Sequence, residues 1–453
     1  VVVTALKRAG TWGVVVLPLL ALLLRLAYAA TLPPRIVVTY EADPITYDQI
    51  ARNLMAGRGF SGASFYYPAG SDVPTAFWDA LYPVFLATIY WLGGPNIPLV
   101  RAVQALLGAV AVGLTYWLGS RLIGRRAGLL AAAISAVYPF FIYYSAQLLT
   151  ETLFMALILG AIVVALKAEE IARARWFALL GGVIGLAALC RAEAFLFGLA
   201  LVPWTAWRAI RSGALVPAGP TRSQRVALAA TGLLAMALVL SPWVVRNQIT
   251  FGAPIFTTTK LGYNLFKYYH PTMTADQTVR TVPFPPMEGL GEPQREALMR
   301  AEALRFMASD PGRTLWFMLN KLVLLFKLTP TNDVNRQYAL VSIASYGALL
   351  PFMAAGFVIT ARRILRDRDL RFLPLVAYVL FSVATKAAVF AGIRLRMQIE
   401  PFLILLAALA ITRVAGHSLA RLLPRILPRM APHLTRWLSP GPALTPPRSR
   451  PLL

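Results

Sequence analysis

The stretch LYPVFLATIYWLG, residues 81–93, decides how the chain is threaded. It is apolar throughout, but a membrane-crossing helix needs about 20 such residues. Longer apolar runs lie on both sides of it, at 14–31, 99–118, 127–146, 152–166, 176–190, 194–210, 226–245, 339–361, 372–391 and 399–414. These ten read as spans, some extended by a turn into their flanks. A second short piece, 315–328, shares the problem of 81–93, and stretches of this length read as interfacial or re-entrant helices. Charge then settles the parity. With ten spans both termini are cytoplasmic, and segments 1–13, 119–126, 167–175, 208–225, 362–371 and 413–453 hold more than half of the 44 Lys and Arg. Making 81–93 a span would put Arg121, Arg125, Arg126, Lys167, Arg173 and Arg175 outside, against the rule that basic residues stay on the cytoplasmic side.

The composition agrees with an all-α polytopic membrane protein of about ten transmembrane helices. Hydrophobic residues make up 58% of the 453 and charged residues only 14%, against about 25% charged in a soluble domain. The formal net charge of +25 would suggest nucleic acid in a soluble protein. Here it is read by membrane side, and no nucleic-acid partner is expected. A lone cysteine, Cys190, excludes a disulfide framework and a Cys-based zinc site. No Rossmann or P-loop fingerprint is present.

The ends carry less information. The initial Val is expected of an alternative start codon or a fragment. Lys7 and Arg8 precede an apolar run ending in Ala27-Tyr28-Ala29, which imitates a signal-peptidase site. The run is long enough to span, so a retained first helix is expected, with Arg25 snorkelling to the outer interface. Residues 413–453 are rich in Arg and Pro and lack acids. From 416 onward they are expected to form a basic, disordered cytoplasmic tail near anionic lipid. High Ala, Arg, Pro and Leu hints at a GC-rich bacterial genome.

Two large segments, 32–98 and 246–314, fall outside, and long outer loops usually carry function. The first contains YEADPITYDQIARNLMAGRGFS, residues 40–61. Asp43 before Pro44 starts a helix. Tyr47, Ile50, Ala51 and Leu54 form its apolar face, Asp48, Arg52 and Asn53 project elsewhere, and Gly57 and Gly59 end it. This reads as an amphipathic helix on the outer surface of the membrane. Asp43 is either a cap or a catalytic base, and the two roles are compatible.

At this point the sequence resembles the GT-C glycosyltransferases, multi-span enzymes using polyprenyl-phosphate-linked sugars. The nearest branch is similar to bacterial protein O-mannosyltransferases and the aminoarabinose transferase of lipid A. The resemblance runs from about 40 to 415. It is carried by Asp43-x-x-x-Tyr47 with Gly-Arg-Gly-Phe (57–60), LYPVFLATIYWLGG (81–94), LLTETLF (148–154), SPWVVRNQITFGAPIF (241–256) and GIRLRMQIEPFLILLAA (392–408). One departure stands out: Trp78, Asp79 and Ala80 precede Leu81-Tyr82-Pro83, where the family often has a basic residue. A phosphate contact is missing there, or another cation supplies it. Asp79 also competes with Asp43 as the base.

The resemblance implies a GT-C domain over 1–415, with both outer loops on the active-site face. It implies transfer of a sugar from a polyprenyl phosphate to an acceptor hydroxyl, with inversion, on the extracytoplasmic face of a bacterial inner membrane. The acceptor could be glycan, lipid or protein. Asp43 and Glu151 are the implied catalytic acids. Glu151 otherwise suits the first turn of a helix capped by Thr150. Arg191, Arg246, Lys386, Arg394 and Arg396 form the implied phosphate-binding set. Their alternatives are a salt bridge to Glu193 for Arg191, snorkelling for Lys386, and lipid head groups for Arg394 and Arg396. Tyr47, Asp79, Tyr82, Tyr263, Asn264 and His270 are weaker candidates for acceptor or sugar binding, since aromatics also form interfacial belts. The acids of 286–310 are expected on a solvated helix. Asp43 and Glu151 could share a divalent ion, Mg or Mn, although no metal-ligand spacing is readable. The rival function is a transporter or flippase of lipid-linked glycans, which predicts internal repeats and midplane charges.

Overall fold

In a computed structural model of the protein the described residues are 12–37, 43–66, 72–211, 221–273, 283–329 and 336–426. They are helical almost throughout. The only extended pairing among them is an isolated bridge between Ser61 and Pro74. Lys7, Arg8, Tyr40 and residues 427–453 of the expected tail lie outside the described residues.

The helices in chain order are α1 (Leu17–Ala30), α2 (Asp43–Met55), α3 (Leu81–Gly93), α4 (Ile97–Leu122), α5 (Arg125–Val137), α6 (Pro139–Ser145), α7 (Glu151–Ile171), α8 (Ala174–Cys190), α9 (Glu193–Arg211), α10 (Arg222–Phe251), α11 (Lys260–Tyr269), α12 (Glu292–Ser309), α13 (Pro311–Phe326), α14 (Arg336–Leu365, with a π turn at Ile343–Gly347), α15 (Leu370–Ala388), α16 (Ile393–Arg396) and α17 (Glu400–Ile426). Among the described residues α4, α7, α10, α14 and α15 are long and apolar enough to cross a membrane, and the bent pair α5–α6 makes a sixth. Together with the shorter apolar helices α1 and α8 they make a multi-pass membrane protein. The helix α17 continues through Ile426, into the segment expected as tail.

Three departures from the sequence reading have physical causes. The expected straight span 127–146 is broken by 52° between α5 and α6. Pro139 has no N–H to continue the ladder and forces Tyr138 to an extended backbone, φ −67°, ψ 118°. The break leaves carbonyls open inside the bundle, and Arg25 fills them. Its guanidinium is 1% exposed and donates to the carbonyls of Ala136 (3.2 Å), Ser135 (3.3 Å) and Ala21 (3.0 Å). Arg25 does not snorkel, because buried carbonyls compete with the interface for its donors. Finally, α2 does not use its apolar face on lipid. Tyr47, Ile50 and Ala51 are buried in the main core together with α3 residues Tyr82, Leu86 and Tyr90. Asn53 is also inside, donating to the Ser61 carbonyl at 3.0 Å.

Close helix approach depends on small residues, as is usual in membranes. Between α8 and α10, a Cβ on Gly181 would stand 1.8 Å from the Gly232 carbonyl oxygen. Between α4 and α5, a Cβ on Gly119 would stand 2.6 Å from the Gly128 Cα.

The outer segments are tied together by one acid. Glu292 opens α12 and is fully buried, as are Met299 and Ala303 further along the same helix. It accepts from the Thr75 hydroxyl (2.8 Å), the Ala76 N–H (2.8 Å) and the Thr259 hydroxyl (2.6 Å). Burial raises its pKa against these bonds. The acids of 286–310 are expected on a solvated helix; Glu292 departs from that because three donors converge on it, and Met299 and Ala303 pack into the core.

Candidate active site

At one end of the bundle the starts of α2 and α7 meet the short helix α16. Pro44 and the first-turn carboxylate of Asp43 begin α2. Glu151 begins α7 and is fully buried. Between them stands Arg394. Its Nε donates to Glu151 Oε1 at 2.6 Å, and its Nη1 to Asp43 Oδ2 at 2.9 Å. One planar fork therefore spans both acids, a geometry that a lysine cannot reproduce. Glu151 has a second cation: Arg191 Nη1 lies 3.4 Å from Oε1 and donates to the Thr150 hydroxyl at 3.0 Å. That hydroxyl makes no cap bond for α7.

The cations sort into two groups. Arg394 and Arg191 touch the acids. Arg246, Arg396 and Lys386 are occupied by other parts of the protein. Arg246 donates to the carbonyls of Phe60 (2.7 Å) and Thr75 (3.0 Å), holding the first outer loop on α10. Arg396 is fully buried, pairs with Glu400 at 2.6 Å and lies 3.4 Å above the Tyr346 ring. Lys386 does not snorkel; its ammonium donates to Glu193 (2.8 Å) and Ser382 (2.7 Å). Glu193 thus goes to Lys386, and the Arg191–Glu193 pair suggested by sequence adjacency does not form a salt bridge. Arg191 turns to Glu151 instead.

Among the weaker candidates, Tyr47 is buried one turn after Asp43, edge-on to Trp78 (5.4 Å) and Tyr82 (5.1 Å). The Tyr82 hydroxyl donates to Gln104. Asp79 accepts from the Ala192 N–H at 3.2 Å. Burial lifts its carboxyl from 3.8 to about 6, opposed by Lys260, Arg191 and that N–H bond. His270 is engaged with Thr272 at 2.7 Å and packed on Phe266 and Phe306. Tyr263 and Asn264 lie on α11, Tyr263 buried and Asn264 half-buried.

Sequence reading missed three lysines. Lys260 and Lys267 recur at helical spacing on α11, with Tyr263 and Asn264 between them on the same face. Lys260 lies 4.1 Å above the Trp78 ring, so it stands beside the position where the expected basic residue was absent. Lys267 lies 5.3 Å from the Tyr268 ring and 5.7 Å from those of Phe65 and Tyr263. Burial lowers its pKa and the Asp43 charge raises it. Neither lysine makes a salt bridge among the described residues. Lys321, on α13, is fully buried 3.6 Å from the Tyr269 ring, with no hydrogen-bond partner among the described residues. The i, i+3, i+4, i+7 pattern of α11 was the available signal.

A divalent ion is poorly provided for. The two acids face the Arg394 guanidinium, and no group of three His, Cys, Asp or Glu able to hold a metal occurs among the described residues.

Residues 80–245 match the family described as dolichyl-phosphate-mannose-protein mannosyltransferase. Among solved structures, the apo oligosaccharyltransferase of Archaeoglobus fulgidus overlays with a TM-score of 0.55 at 18% identity, covering 92% of this chain and 52% of that one. The same organism's oligosaccharyltransferase AglB, in complex with an inhibitory peptide and a dolichol-phosphate, gives 0.54 at 17%, covering 93% and 53%. ArnT from Cupriavidus metallidurans, bound to undecaprenyl phosphate, gives 0.41 at 17%, covering 92% and 81%. No curated protein matches the chain in sequence. The chain thus spans about half the length of the archaeal enzyme, and at these identities the overlay shows the fold alone. That fold is the GT-C fold implied by the sequence motifs.

Proposed function

We propose that this GT-C protein is a glycosyltransferase that moves a sugar from a polyprenyl phosphate to an acceptor hydroxyl. The observation that carries the reading is the Asp43–Arg394–Glu151 bridge, with Lys260 and Lys267 beside it. Together they supply a base, a bridging guanidinium and two lysines that form no salt bridge among the described residues, at the bundle end where outer loops meet the spans. The family matched by residues 80–245 and the dolichol-phosphate complex of AglB support a lipid-linked donor.

Asp43 takes the proton of the acceptor hydroxyl as general base. The oxygen attacks the anomeric carbon as the bond from that carbon to the phosphate oxygen breaks, through an oxocarbenium-like state. One displacement inverts the centre, by analogy with inverting glycosidases. The departing phosphate keeps the electron pair and needs no proton. Lys260, Lys267 and Arg394 stabilise its charge, and fixed cations act most strongly where water is excluded. Glu151, held by Arg191, keeps Arg394 in place.

The membrane side follows from charge. At the far ends of α4, α7 and α9, Arg121 pairs with Glu170 and Arg208 with Glu169, near Arg371 and Asp369. Read by the positive-inside rule, that Arg-rich end is the cytoplasmic one, which supports an extracytoplasmic Asp43; a bacterial inner membrane is part of the same proposal.

The test is consumption of radiolabelled polyprenyl-phosphate pentoses and hexoses by the purified chain. Turnover of at least one donor is expected, reduced about 100-fold or more by Arg394→Lys, whose point charge cannot span both acids. Consumption of none by the wild type would overturn the enzyme reading and favour a flippase.

A further inference from the structure

Two aromatic rings lie half-open beside the reaction centre and nothing in the chemistry above uses them. Phe65 is 50% exposed and Phe284 48%. Tyr263, itself buried, stacks with both: its ring is 4.3 Å from Phe65 at 15°, and 6.2 Å from Phe284 at 23°. The central ring, Tyr263, is also packed edge-on against Phe77 at 5.6 Å, and Phe65 packs against Phe77 at 5.5 Å. Polar groups border the platform. Lys267 lies 5.7 Å from the Phe65 and Tyr263 rings, and Asn264 follows Tyr263 on α11. The platform also connects to the base, because Phe65 contacts Trp78 (6.4 Å) and Trp78 contacts Tyr47, one turn from Asp43.

From this we infer that the acceptor is a saccharide, one ring of which docks on the Phe65–Tyr263–Phe284 platform. The inference rests on the glycosyltransferase reading and names its acceptor class. A sugar ring has one face of polarised C–H groups, which suits the negative face of an aromatic ring. Its rim of hydroxyls suits nearby ammonium and amide groups, the mixture of flat apolar lining and few polar groups that orients small ligands. One route for an extended peptide, pairing with a strand edge, is not offered by the described outer loops, whose only extended pairing is the Ser61–Pro74 bridge; the peptide arm of the experiment tests the others. A lipid acceptor would use apolar surface continuous with the bilayer, whereas this platform is rimmed by Lys267 and Asn264.

The experiment uses the full chain in lipid nanodiscs and the radiolabelled donor it consumes. Three acceptor arms are compared: neutral mannan- and arabinan-derived oligosaccharides, a Ser/Thr-rich peptide, and phosphatidylglycerol. Label is expected in an oligosaccharide. Phe65→Ala and Phe284→Ala should each raise the saccharide KM about fivefold or more with kcat changed less than about twofold, the pattern of lost uniform binding. Both are half-exposed, and a thermal melt of each variant checks that the fold persists. Label entering only the peptide or phosphatidylglycerol overturns the saccharide inference and leaves the enzyme reading standing. So does donor hydrolysis without transfer to any arm; transfer to oligosaccharide that neither substitution affects overturns the Phe65–Tyr263–Phe284 platform as its docking site. A donor left intact in every arm overturns both.

Discussion

Asp43 and Asp79 look alike in sequence, two acids in one outer loop, yet their surroundings differ. Asp43 faces Arg394. Asp79 accepts a backbone N–H near the start of α9, and burial lifts its pKa to about 6. A carboxyl whose folded pKa exceeds its unfolded value binds its proton more tightly when folded. Stability therefore falls as pH rises from about 4 through 6, and the cost is fully present above that window. Asp79→Asn keeps an acceptor for Ala192 and removes the cost. It should raise thermal stability at pH 7 by about 2 kcal/mol, and by little at pH 4. Melting curves at the two pH values check this; an equal gain at both would show that the carboxyl is not strained by burial. The identities of the candidate acids were legible in the sequence. Their partners were not, because Arg394 comes from 243 residues beyond Glu151, and side-chain pairing at that separation leaves no local pattern. The same limit explains why adjacency suggested Arg191 with Glu193, when each has a partner on another helix.

At the scale of the element, apolar length located most helices, and Asp43-Pro44, Gly57 and Gly59 marked the ends of α2. What length could not reveal was what happens inside an apolar run. Pro139 was visible, but the break it causes needs donors for the freed carbonyls, and Arg25 supplies them from α1. Lys386 and Glu193 make the converse case, an ion pair joining α15 to α9. Breaking a buried pair strands a charge, which costs more than replacing both partners with apolar groups. Lys386→Met should therefore destabilise the protein by about 3–5 kcal/mol, and Lys386→Met with Glu193→Leu should recover most of it. Melting temperatures in one detergent check the order. A double variant no better than the single would remove the stranded charge as the cause.

Across the whole molecule, membrane insertion fixes which groups can meet. Spans carry α2, α7 and α16 to one end, and the loops tied by Glu292 and Arg246 cover that end. The sequence motifs implied the fold that the overlay with the archaeal oligosaccharyltransferase shows. The implied phosphate set was only partly gathered at the acids: Arg191 and Arg394 are there, while Arg246, Arg396 and Lys386 hold the scaffold. Lysines on α11 stand nearby instead, where a helix face read for its aromatics also presents cations. In the proposed reaction Asp43 removes the acceptor proton in a site shaped by Arg394 and Glu151. Single-turnover transfer from a radiolabelled polyprenyl-phosphate sugar, comparing wild type with Asp43→Asn at matched melting temperature, tests it most directly. The expected result is a rate lower by about 10²- to 10⁴-fold with donor affinity retained. An Asp43→Asn protein that transfers sugar at close to the wild-type rate would contradict it.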